Sequence, residues 1–131
     1  MKQITVVAAA LRRGNRIFIA KRPHHKLPPD VWEFPGGKPE DGETLQQALK
    51  RELWEELGVE TDIGEFICQT VYAYDFATVT INLFWATMHN ENDIIHDTEH
   101  SAVAWVSSND FDSYDFAAAD VELLEKLKKI L

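Results

Sequence analysis

Residues 36–59, GGKPEDGETLQQALKRELWEELGV, decide how the rest of this chain is read. Leu45, Leu49, Leu53 and Leu57 recur every four residues with Ala48 beside them, the spacing of a helix with one buried face. Thr44 stands where an N-cap belongs and Gly58 where a C-terminal stop belongs, so a helix is predicted between them. Glu52, Glu55 and Glu56 crowd its last turns. That end already carries partial negative charge, and each carboxylate added there costs about 0.3–1 kcal/mol. At 3.6 residues per turn the three side chains fit within an arc of roughly 100° and repel one another. Oxygen ligands grouped in this way suit Mg²⁺ or Mn²⁺, above all when substrate phosphates complete the coordination shell. Taken alone, the three glutamates fit a solvated acidic face equally well.

Outward from the helix, residues 31–34 read as a short strand delivering Pro35-Gly36-Gly37, and the preceding PHHKLPPD, with three prolines in eight residues, reads as an irregular surface loop. His24 and His25 in that loop read as solvated. Residues 4–11 and 17–20, joined by Gly14-Asn15, form a predicted β-hairpin. Beyond the helix, residues 63–74 and 78–88 are rich in β-branched and aromatic side chains, with Asp75-Phe76-Ala77 as their turn. Tyr72, Tyr74 and Trp85 read there as core or sheet-surface aromatics. A polar loop over 89–100, a strand over 102–106, a turn or helix start at 107–110 and an amphipathic helix over 121–131 complete the chain.

The 131 residues are the usual length of one domain, without repeats or low-complexity segments. Thirteen basic against 22 acidic residues give a formal charge of -9, which disfavours a broad footprint for polymeric nucleic acid. Cys68, the one cysteine, excludes an intrachain disulfide and a cysteine metal cluster, and reads as an inert core thiol. The apolar start ends at Arg12-Arg13, and no run reaches the roughly 18 apolar residues a membrane span needs. A soluble cytoplasmic protein without a membrane partner, monomeric or homodimeric, is expected.

The spacing around the helix separates the two explanations of its glutamates. Gly37, then Glu43 six residues on, then Arg51-Glu52-Leu53-Trp54-Glu55-Glu56-Leu57-Gly58-Val59 resembles the whole signature of the Nudix hydrolases. With each residue type used at roughly 6%, chance agreement at seven fixed and two apolar positions is on the order of 10⁻⁹ per window. Trp32-Glu33-Phe34-Pro35-Gly36-Gly37-Lys38, Phe18-Ile19-Ala20-Lys21-Arg22, and Glu99 six residues ahead of Trp105 are similar to the MutT-type branch of that family. The resemblance implies one α+β domain over residues 1–131, an α/β/α sandwich with a mixed β-sheet and a loop-helix-loop at one edge. It also implies Mg²⁺-dependent hydrolysis of a nucleoside triphosphate to the monophosphate and pyrophosphate, as nucleotide-pool sanitation, with Mn²⁺ as a substitute. Carried over residue by residue, Glu55, Glu56 and the Gly36 carbonyl hold metal. Glu52 is a further ligand or the general base, Glu99 a distant ligand or base, and Arg51 orients the carboxylates, with Glu43 as its partner. Charge considerations add Arg22 and Lys38 as phosphate contacts.

Base choice falls on Asp120, at the position where MutT-like proteins carry an asparagine, with Phe34 as a second candidate contact. An ionised aspartate only accepts hydrogen bonds, so base edges rich in N–H are favoured: cytosine N4 or the N7 of 8-oxoguanine. Residues 116–124 resemble the branch acting on CTP and modified pyrimidines. Asp120 also fits a plain N-cap of the last helix. Hydrolysis of ADP-ribose or a dinucleoside polyphosphate, and a catalytically silent nucleotide-binding regulator, stand as alternative functions.

Overall fold

The computed structural model describes residues 2–131. Strand β1 (Gln3–Arg13) lies at the centre and is buried on both faces, which is why its sequence reads as a nearly unbroken apolar run. Its side chains sort by period two: Val7, Ala9 and Leu11 enter one core, Ala8 and Ala10 the other. The predicted hairpin with β2 (Arg16–Lys21) is present, but these strands share only the pairs Arg12↔Ile17 and Arg13↔Arg16. Further back, β1 pairs instead with β4 (Gly36–Gly37) and, in parallel, with β6 (Thr78–Met88) from Gln3↔Thr78 to Leu11↔Ala86. Strand β2 is joined by β3 (Trp32–Glu33) and β7 (Ala102–Ser107), and β6 by β5 (Thr61–Ala73). The mixed sheet therefore runs β3-β2-β1-β6-β5, with β4 on β1 and β7 on β2.

Helix α1 (Leu45–Leu57) covers one face, burying Ala48, Leu49, Leu53 and Leu57 against Val7, Phe18 and Phe84. Removing Leu53 to alanine from such a core costs about 2–5 kcal/mol. Thr44 caps the helix through a complete capping box with Gln47, and Gly58 stops it at φ 69° in the left-handed region. A 3-10 turn (Ser108–Ser113) and α2 (Ala118–Lys128) cover the opposite face, where Leu123, Leu124 and Leu127 pack on Ile17, Ile19 and Leu83. The result is the expected α/β/α sandwich.

The last helix begins at Ala118, three residues before the predicted start, and its N-cap is Ala117. Asp120 therefore lies inside the first turn, so the N-cap explanation is incorrect. Cys68 lies half-buried on β5 at the margin of a core cluster rather than inside it, and burial raises its thiol. Among the described residues, no helix is long and apolar enough to cross a membrane.

Candidate active site

Arg51 organises the glutamates at the end of α1. Its Nε and Nη2 grip both carboxylate oxygens of Glu43 at 2.7 and 2.9 Å, while Nη1 donates to Glu52 at 2.8 Å and to Glu55 at 3.0 Å. Nη2 also donates to the Lys38 carbonyl at 3.1 Å, tying the helix to the loop after β4. This bidentate geometry is available to arginine and not to lysine. Glu43 is consequently held below its ordinary carboxylate range, chiefly by its hydrogen bond to Arg51. Burial raises Glu52, against the opposing pull of Arg51.

The glycine pair fits close to this cluster. A Cβ on Gly36 would strike the Val7 carbonyl, so a side chain there needs a backbone shift, whereas one on Gly37 would strike the Glu52 carboxylate and displace that side chain. Glu56 points inward. Its Oε2 is buried with no hydrogen-bond partner, and burial pushes its carboxyl up to about 8, with His100 pulling the other way. An unpartnered buried carboxylate oxygen is costly, and a cation bound there would remove the cost.

The segment 89–101 closes the end of α1 and brings new groups to it. The amides of His96 and Thr98 donate to the carbonyls of Leu57 (2.9 Å) and Glu56 (3.1 Å), satisfying helix-end acceptors that no basic side chain serves. His100, with its side chain only 3% exposed, bridges Asp97 at 2.8 Å and Glu33 at 2.9 Å. Burial by itself lowers the imidazole, but the Glu33 hydrogen bond and the Asp97 charge outweigh it and hold His100 above its ordinary value. Glu99, the predicted distant ligand, pairs with Lys26 Nζ at 3.1 Å. Arg22 is engaged by the carbonyls of Leu27 and Pro28 at 2.9 and 3.1 Å and by Glu33 at 3.0 Å. Sequence reasoning did not single out His100, Glu33, Asp97 or Lys26. The available signal was a histidine adjoining Glu99 in a loop otherwise rich in acids.

Further along the same cleft, Asp120 is 7% exposed, and its Oδ2 accepts the Phe34 amide at 2.8 Å. That contact is set by the backbone: Trp32 donates to the Asp115 carbonyl and accepts from Ala117, so β3 and the start of α2 run side by side. Burial, followed by the charge of Glu33, pushes the Asp120 carboxyl up to about 8. This burial works against the ionised, accept-only aspartate expected from the sequence and favours a protonated group, which can both donate and accept. Phe34 is 4% exposed and packs on Phe116. Tyr74 also lines the cleft, as does Phe76, which the sequence reading placed only in a turn.

One cleft of about 350 Å³ thus joins Gly36, Gly37, Lys38, Glu56 and Glu99 to Phe34 and Asp120, with Arg22 and Lys26 on its wall. Glu52 and Glu55 stand beside it, closed onto Arg51. Among the described residues, no three acidic, histidine or cysteine side chains converge as a ready-made metal cage. The donor set still fits a hard divalent cation: it is all oxygen, includes the orphaned Glu56 Oε2, and leaves room for phosphate ligands of the kind Mg²⁺ uses.

Comparison with known proteins identifies the family and the fold. The chain is 38% identical over 125 residues to the CTP pyrophosphohydrolase of Escherichia coli (strain K12), covering 95% of this chain and 91% of that protein. It is 33% identical over 131 residues to the 8-oxo-dGTP diphosphatase of the same organism, covering 99% and 100%. The solution structure of the E. coli ORF135 protein superposes with a TM-score of 0.84 at 35% identity, over 99% of this chain and 91% of that one. The NUDIX domain profile matches residues 1–127, and the chain belongs to the NUDIX domain family as a MutT-type Nudix hydrolase.

Proposed function

We propose that this protein hydrolyses nucleoside triphosphates to the monophosphate and pyrophosphate in a Mg²⁺-dependent reaction that clears damaged or surplus nucleotides from the cytoplasm. The observation that carries this reading is the single cleft with glutamates and lysines at one end and the buried Asp120–Phe34 pair at the other. Such a site matches a ligand that is polyanionic at one end and has a polar-edged ring at the other.

Glu52, Glu55, Glu56, Glu99 and the Gly36 carbonyl would hold the metal. When bound, Mg²⁺ supplies the charge that the phosphate oxygens require and makes water a competent nucleophile. Arg51 keeps Glu52 and Glu55 in place, and Glu52 or Glu99 takes the proton of the attacking water as the phosphoanhydride bond breaks and pyrophosphate leaves. Lys38 and Arg22 face the phosphates. Protonated Asp120 offers one donor and retains acceptor capacity, a pattern that suits both the N4/N3 edge of cytosine and the O6/N7–H edge of 8-oxoguanine. Over nearly the whole chain, identity is higher to a CTP pyrophosphohydrolase than to the 8-oxo-dGTP diphosphatases matched over a similar length, which favours the cytosine class.

Pyrophosphate release across canonical, oxidised and methylated nucleoside triphosphates, with and without Mg²⁺, tests the proposal. Mg²⁺-dependent turnover led by CTP-type or 8-oxo-dGTP-type substrates is expected. Silence across the panel would overturn it in favour of a nucleotide-binding regulator, and turnover confined to ADP-ribose or dinucleoside polyphosphates would reassign the substrate.

A further inference from the structure

Ten large hydrophobic side chains are exposed among the described residues, and two of them, Leu27 and Phe76, line the cleft. Phe76 sits in the turn between β5 and β6 and is 62% exposed. Its ring is not loose: it lies nearly parallel to Tyr74, at 5.3 Å between centroids and 15° between planes. Tyr74 is in turn fixed on three sides. Its ring packs on Tyr72 at 4.7 Å, its amide donates to the Ala77 carbonyl at 2.8 Å, and its phenol oxygen accepts the Ala119 amide at 3.3 Å. Ala119 directly precedes Asp120, so the stacked pair and the buried carboxyl are held to one another through a single turn of helix.

We propose that Tyr74 and Phe76 form the platform on which the substrate's nucleobase stacks, while Asp120 reads the edge of the same base. This rests on the nucleotide reading above and adds to it the group that recognises the face of the ring. A base offers polar atoms only at its rim, so a carboxyl that reads the rim leaves both faces in need of apolar cover. The cleft also holds Phe34 near Asp120, but that ring is already buried against Phe116. The Phe76 ring retains free area and loses water only when something flat covers it. Stacking tolerates any base, so the platform supplies affinity and Asp120 supplies choice. Purines, with two fused rings, depend on it more than pyrimidines.

The test uses Phe76→Ala, Phe76→Leu and Phe76→Tyr in the full-length protein. Because the side chain is exposed, all three are expected to melt close to the parent. Phe76→Ala should raise KM for nucleoside triphosphates by about 5-fold to 100-fold, the range of base–aromatic stacking, with kcat within about 3-fold. Phe76→Leu should behave like alanine, and Phe76→Tyr like the parent. Inhibition by inorganic tripolyphosphate, which has no base, should be unchanged in all three. A KM that stays within 2-fold for alanine, a leucine variant equal to the parent, or a parallel weakening of tripolyphosphate each overturns the platform. An independent readout is Phe76→Trp titrated with nucleoside monophosphates in the absence of divalent cations. Saturable quenching beyond that of the parent supports stacking, and its absence refutes it. Quenching without hydrolysis of any nucleoside triphosphate would sink the proposed activity and leave the platform standing.

Discussion

Replacing Asp120 with asparagine should change the pH dependence of stability in a way that only a protonated, buried carboxyl explains. In the fold this group holds its proton up to about 8, whereas its ordinary value is 3.8. Between those values the native state binds one more proton than the unfolded chain. Stability from this group is therefore complete below about pH 4, declines by about 1.4 kcal/mol per pH unit as pH rises, and is lost above about 8. The full span corresponds to about 5–6 kcal/mol. Asparagine keeps a carbonyl to accept the Phe34 amide, so the contact survives and the slope disappears. Urea unfolding of both proteins at half-unit steps from pH 5.5 to 9 measures the difference. The advantage of the variant should grow by about 2–3 kcal/mol between pH 5.5 and 7.5 and level off beyond 8. A difference that stays constant within about 0.5 kcal/mol would show that Asp120 is ionised in the fold and refute the reasoning. Substrate ranking gives a parallel check: the variant should match the parent at pH 7, and the two should diverge above pH 8.5.

Glu55→Gln and Glu56→Gln should each lower kcat at least 100-fold with circular dichroism unchanged, and near-normal turnover in both would sink their assignment as ligands. Arg51→Lys retains the charge but loses the fork onto Glu43, so a drop in stability of about 1–3 kcal/mol and a higher Mg²⁺ requirement are expected from denaturant titration and metal titration. His100→Ala removes the bridge between Asp97 and Glu33, which should speed amide exchange over residues 96–101 relative to α1 and weaken metal affinity; unchanged exchange would place the hold on that loop elsewhere.

Helix α1 was legible because all its determinants are local: the leucine spacing, the Thr44 cap, the Gly58 stop and the Arg51–glutamate pattern lie within one short stretch. The same locality made the β5–β6 pair legible. The parallel pairing of β1 with β6 was not, because no pattern in either strand identifies its neighbour across some 65 intervening residues. The start of α2 was misplaced because Ala117-Ala118-Ala119 carries no capping side chain. That displacement matters chemically: moving Asp120 from a helix cap into the interior buries its carboxyl, and burial raises it well above an exposed aspartate. His100 was missed for a related reason. Its two partners, Asp97 and Glu33, come from a loop and from a strand 67 residues earlier, and only the fold brings them together.

The acidic balance of the chain bears differently on the cleft than on the surface. At physiological ionic strength charges separated by more than roughly 8 Å of solvent are largely screened, so the formal charge of -9 is felt weakly at the site. What the proposed triphosphate would meet is local: Lys38, together with Arg22 and Lys26 in their pairs with Glu33 and Glu99, lines one cleft, with Arg51 neutralising Glu52 and Glu55 beside it. The raised carboxyls extend the same logic. Burial raises the carboxyls of both Glu56 and Asp120 where they line the cleft, and a carboxyl that keeps its proton there removes one negative charge from the path of a polyanion. The two should part company on loading: a divalent cation beside Glu56 would draw off its proton, whereas at Asp120 burial and the Glu33 charge outweigh the pull of Arg22 and of the Phe34 amide, so the donor proposed to read the base would be kept.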